Sequence, residues 1–161
     1  MSRLAPFALI LALLQLPTWA ATETVPLQFQ VAGATWVYPT PGDFQDVKAD
    51  LVDAIESRGL VVSYIAHTAS MLQRTAEAVG AIEQIYDFAD TLLFCKADLT
   101  YKLTVANPHN MPLCPYSISV YTLMKEPGVV YLAIKAPPAG LPEYEPIHQL
   151  LEAIIYDTVA W

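Results

Sequence analysis

The stretch from Ala34 to Ala66 constrains the fold of this chain more than any other part of it. Ala34-Thr35-Trp36-Val37-Tyr38 is β-branched and aromatic, and Val31 to Tyr38 reads as a first strand. Pro39-Thr40-Pro41-Gly42 ends it, because two prolines and a glycine break strand pairing and favour a turn. Asp43 then stands where a helix cap belongs. Phe44, Val47, Leu51, Ala54 and Ile55 recur at helical spacing, and Arg58-Gly59 closes the helix with a cation and a C-cap glycine. Leu60 to Ala66 follows at once as a buried strand. A strand–helix–strand unit requires a sheet with helices laid on it.

The rest of the chain extends that unit. Thr68 is the expected cap of a second helix from Ala69 to about Val79, with Gly80 as its stop. Ala81 to Asp87 is either more helix or a connection. Thr91 to Cys95 reads as a third strand, and Asp98 to Ala106 as a short helix ended by Asn107-Pro108. Pro112 to Pro115 is a stiff loop before a fourth strand, Tyr116 to Leu123. Glu126-Pro127-Gly128 turns the chain into a fifth, Val129 to Lys135. The Pro-rich stretch Ala136 to Pro146 leads to a final amphipathic helix, about Ile147 to Val159. The predicted fold class is α+β: two layers, with a single mixed or antiparallel sheet and helices packed on one face.

Met1 to Ala20 has the pattern of a secretory leader. Arg3 supplies the positive end, Leu4 to Leu16 the apolar stretch, and Thr18-Trp19-Ala20 the small residues a signal peptidase reads. The apolar run is shorter than the about 20 residues a spanning helix needs. Cleavage after Ala20 and export to the periplasm or medium are therefore expected, with no stable membrane insertion afterwards. The expected organisation is a signal peptide over residues 1–20, an N-terminal segment with the first strand over 21–42, and an α+β domain over 43–161. Thr22 to Pro26 would be a flexible mature N-terminus.

Without the leader, seven Lys and Arg stand against sixteen Asp and Glu, a net charge of −9 where the whole chain has −8. A chain this acidic lacks the basic clusters that nucleic acid demands, and anionic headgroups repel it. Only 15% of residues are charged, which points to exposed apolar surface that a homodimer would cover.

The chemistry-bearing residues are few. In an oxidising compartment Cys95 and Cys114 form a disulfide, a redox dithiol or a soft ligand set. A bridge would close a loop worth about 3 kcal/mol of stability. There is no Cys-x-x-Cys, although Lys96 adjoins Cys95. His109-Asn110-Met111-Pro112-Leu113-Cys114 puts imidazole, thioether and thiol in one loop, donors suited to a soft metal or haem iron, while Asn-Pro-His-Asn is equally ordinary turn chemistry. His67 ends a strand, where binding residues often project, and a histidine bonded to backbone is the plainer alternative. His148, beside Glu145 and Glu152, reads as a surface residue. Asp87, Asp90 and Asp98 read as turn and capping residues. Tyr64, Tyr101, Tyr116, Tyr121 and Tyr131 suit the core, an interface or an apolar pocket for a flat ligand. No Gly-x-Ser-x-Gly elbow or recognisable carboxylate pair speaks for a hydrolase.

Gly59-Leu60-Val61-Val62, His67, Cys95-Lys96-Ala97 with its following short helix, and Leu113-Cys114 opening Ile118-Ser119-Val120-Tyr121 occur in the order seen in the family called domain of unknown function 302. The chain resembles that family over roughly Phe44 to Val159. Its customary Leu-Pro-Cys reads Pro112-Leu113-Cys114 here, and the segment between His67 and Thr91 is longer. The resemblance implies a small α+β domain, often dimeric, in exported bacterial proteins near sulfur-oxidation or electron-transfer functions. It implies no established reaction. The expected role is a small-ligand-binding or accessory protein, more readily non-catalytic than enzymatic, with His67, Cys95, His109, Met111 and Cys114 as candidate ligand-binding residues. The cofactor is left open by the sequence, with haem and a soft metal as the candidates. The alternatives are a thiol redox or sulfur-carrier protein using Cys95 and Cys114, partnered by a periplasmic redox or sulfur-pathway protein, and a structural interaction domain stapled by the bridge.

Overall fold

In the computed structural model of the chain, which describes residues 28–160, Asp43 caps the first helix. Its Oδ1 accepts the backbone N–H of Gln45 at 2.7 Å. The leader expected over residues 1–20 and the segment Thr22 to Pro26 lie outside the described residues.

Ten main elements follow one another: β1 (Gln30–Ala32), β2 (Thr35–Pro41), α1 (Phe44–Glu56), β3 (Tyr64–His67), α2 (Thr68–Thr75), β4 (Tyr86–Phe94), α3 (Ala97–Ala106), β5 (Tyr116–Leu123), β6 (Val129–Lys135) and α4 (Glu145–Val159). The strands form one sheet in the order β1-β2-β6-β5-β4-β3, and every neighbouring pair is antiparallel. The expected α+β class holds, and of mixed or antiparallel the sheet is antiparallel. β2, from the segment ahead of residue 43, pairs along its whole length with β6 and belongs to the same sheet.

Strand side chains alternate between the two faces, so a single row across the sheet names the buried one. Tyr38 pairs with Leu132, Leu132 with Val120, Val120 with Asp90, and Asp90 with His67. Tyr38, Leu132 and Val120 join the core with Leu51 and Ile55 of α1 and Ile147, Leu151 and Ile154 of α4. Leu103 of α3 closes one end of that core, beside Phe94 and Tyr116. Arg58 fastens the C-terminal end of α1 to α4 through the Ala153 carbonyl and the Asp157 carboxylate.

Four local expectations change. The first strand is a hairpin, because Gly33, at φ +63°, adopts the left-handed turn that joins β1 to β2. The strand expected over Leu60 to Ala66 pairs only over Tyr64–His67 and lies at the sheet edge, with Tyr64 65% exposed. The second helix begins at Thr68 and ends at Thr75 instead of about Val79. It buries Ala69 alone, too little apolar stripe to hold further turns on the sheet. Part of Ala81 to Asp87, ambiguous in the sequence, is strand, since β4 starts at Tyr86.

Candidate functional site

Asp90 is the polar member of an otherwise apolar row. It faces the helices with only 7% of its surface exposed. Such a carboxylate requires partners, and two elements supply them. Lys48, one turn into α1, donates from Nζ to Oδ2 at 2.5 Å. His67, at the end of β3, donates from Nδ1 to Oδ1 at 2.8 Å. Burial pushes the Asp90 carboxyl upward, but the hydrogen bonds from Lys48 and then His67 outweigh it and hold the group below its ordinary value. A turn residue in the sequence reading, Asp90 is thus the buried anchor of a three-residue cluster.

The cluster opens on a cleft of about 790 Å³. Phe44 and Phe88, stacked at 4.9 Å, form part of its wall, and Gln45, Ser70, Gln73 and Arg74 bring polar groups to it. His67 is 63% exposed and lines this space. Its Nδ1 is tied to Asp90, and Nε2 has no hydrogen-bond partner among the described residues. A carboxylate that fixes one imidazole nitrogen orients the other for a ligand or a proton.

Cys95 and Cys114 are joined, with their Cα atoms 6.2 Å apart. Cys95 directly follows β4 and Cys114 shortly precedes β5, whose facing residues Phe94 and Tyr116 are register partners, so the strand pairing brings the sulfurs together. With the bridge closed, neither sulfur is a thiolate ligand. His109 and Met111 are exposed on the short 3₁₀ helix Pro108–Leu113 beyond α3. Asn107 Oδ1 accepts the His109 N–H at 2.9 Å and the Asn110 side chain donates to Leu103 O, as in ordinary capping. The Cys114–Pro115 peptide is cis.

The candidate residues therefore separate into two groups. His67 stands at the Asp90 end of the β3–β4 pair; Cys95, Cys114, His109 and Met111 lie past the other end. Four residues of β4 intervene between Asp90 and Cys95, which puts the two about 16 Å apart along extended chain. Among the described residues no cluster of three or more His, Cys, Asp or Glu side chains is placed to hold a metal ion.

His148 corrects the sequence reading most directly. It is buried at 3% exposure, with Trp36 against its ring at 4.4 Å. Neither ring nitrogen has a hydrogen-bond partner among the described residues, and Glu152 Oε2 stands 3.7 Å from Nε2. Glu152 instead accepts from the Tyr38 hydroxyl at 3.0 Å, and burial together with that carboxylate pushes the Tyr38 hydroxyl up. Desolvating an unsatisfied imidazole opposes folding, so His148→Phe is expected to raise stability by about 1 kcal/mol, read as a higher Tm. A lower Tm for this variant would mean that the imidazole makes a stabilising bond.

The antiparallel six-stranded sheet with its packed helices is a small α+β domain, and its fold is that of a solved domain of unknown function 302 structure. The chain is similar to the crystal structure of an uncharacterized conserved DUF302 protein from Bacillus stearothermophilus, with a TM-score of 0.64 at 15% sequence identity. That superposition covers 79% of this chain and 99% of the other. No protein-family model and no curated protein matches the sequence.

Proposed function

We propose that this is an exported, non-catalytic protein that binds a small ligand in the cleft around His67. The observation that carries this reading is the Asp90-held imidazole, whose Nε2 has no partner among the described residues, on the wall of a cleft about 790 Å³ in volume. Ligand sites are commonly concave spaces of about 300–1,000 Å³ with apolar walls and a few fixed polar groups. Homodimeric assembly belongs to the same reading.

The test is native mass spectrometry of the mature protein isolated from its own host without reductant, beside the His67→Ala variant. The expected result is cleavage after Ala20 and a retained small molecule that the variant loses. A visible absorbance band lost with it would identify that molecule as haem. Equal, unliganded masses for both proteins would sink the proposal.

One observation favours a second reading, thiol exchange. Cys95 is exposed and Lys96 follows it, so one sulfur of the bridge is open to an attacking thiolate. A reduction potential clearly above about −300 mV would support exchange, and one below it a structural staple.

A further inference from the structure

The His67 cleft has an apolar neighbour. Ala69, Leu72 and Gln73 of α2 and Ala76 just past its end recur at helical spacing and face the loop that leads to β4, enclosing a groove of about 340 Å³. Ala69 and Gln73 line both spaces, so the groove begins where the cleft ends. The loop side is strongly apolar and open to water: Val79 is 71% exposed, Ile85 59%, and Ile82 fully exposed. So much exposed aliphatic surface gathered around one groove is costly to leave uncovered.

The cleft side carries the opposite chemistry. Arg74 lines it, bonded through Nη1 to Ser70 Oγ at 2.9 Å, and forms no ion pair among the described residues. Lys48, by contrast, is neutralised by Asp90. In a chain of net charge −8, Arg74, which forms no ion pair among the described residues, and the outer imidazole nitrogen of His67 line one cleft together with Asp87, and these two donors favour an anionic group.

We propose that the ligand is a long-chain carboxylate, its head held by Arg74 and His67 and its tail laid between α2 and the Val79–Ile85 loop. This rests on the reading of the His67 cleft as the ligand site.

Titration calorimetry of the mature protein with dodecanoate, butanoate and dodecyltrimethylammonium tests it, with the His67 ring signals followed by NMR. Dodecanoate should bind on the order of a hundredfold more tightly than butanoate, as burial of only three or four extra methylenes requires. Both carboxylates should shift the His67 signals, and the cationic amphiphile should not. Leu72→Asp, at an exposed position, should remove the chain-length dependence. Arg74→Gln should weaken both carboxylates by roughly tenfold.

Equal affinity for the two carboxylates, with His67 shifted, would overturn the tail placement while the cleft reading stands. Chain-length dependence that survives Leu72→Asp would do the same. If Leu72→Asp changes the association state and not dodecanoate binding, the groove is a contact between copies and the proposal is wrong. Dodecanoate binding that leaves His67 unmoved would overturn the head placement. Without carboxylate binding the proposal fails, and a His67-dependent ligand retained from the host would then show the cleft reading surviving alone.

Discussion

Asp90→Ala is expected to destabilise the protein by about 3 kcal/mol, the largest effect of any polar substitution in the cleft. The variant leaves the largely buried Lys48 ammonium without its acceptor and frees the Nδ1–H of the exposed His67. Asp90→Asn keeps the shape and one acceptor, so its loss should be about half as large. Urea unfolding at several pH values checks both. The native carboxyl is held below its ordinary value of 3.8, so the unfolded chain takes up a proton first as pH falls. The stabilisation is complete above about pH 4 and disappears as pH drops through the native value. The gap between wild type and Asp90→Asn should therefore close on acidification. A gap that is constant from neutral pH down to pH 3 would show that charge contributes nothing there.

Cys114→Ser is expected to cost about 3 kcal/mol, because the bridge closes a loop with a sequence separation of 19 that holds α3 and the 3₁₀ helix after it. The comparison is made with Cys95→Ser/Cys114→Ser, which removes the stray thiol as well. Both should unfold at clearly lower denaturant, and in both the His67 cleft should keep the ligand proposed for it. The reason is distance, since the bridge lies about 16 Å along β4 from Asp90. Ligand loss in the folded double variant would tie the sulfurs to the site and favour a redox or ligand-holding role.

The strands and helices were legible wherever local pattern and tertiary packing agreed. Tyr116–Leu123 and Val129–Lys135 fall where alternation and the Pro-Gly turn put them. The candidate site was legible in part. His67 was recognisable as a strand-end histidine, but Asp90 was hidden because Asp87 and Asp90 made the start of β4 look like a connection. Parity was the available signal: Asp90 shares its face with Leu92 and Phe94, both fully buried. No local pattern could show that Lys48, 42 residues earlier, would lie over it. His148 was obscured by Glu145 and Glu152, although Leu151 and Ile155 stand three and seven residues on along the same buried helical stripe. The cysteines showed the reverse pattern. Their pairing was one of three open readings, and adjacency of β4 and β5 decides it.

The borders of the sheet set a rule for how this protein can meet others. β1 is three residues long and β3 four, and helix α2 starts immediately where β3 stops. Such short margins offer little backbone for an incoming strand to zip onto, which protects the chain from edge-to-edge polymerisation. Among the described residues, the surface left for a partner is therefore chiefly side chains on a face or in a groove. Its specificity is written in surface shape and charge, where single substitutions can tune it.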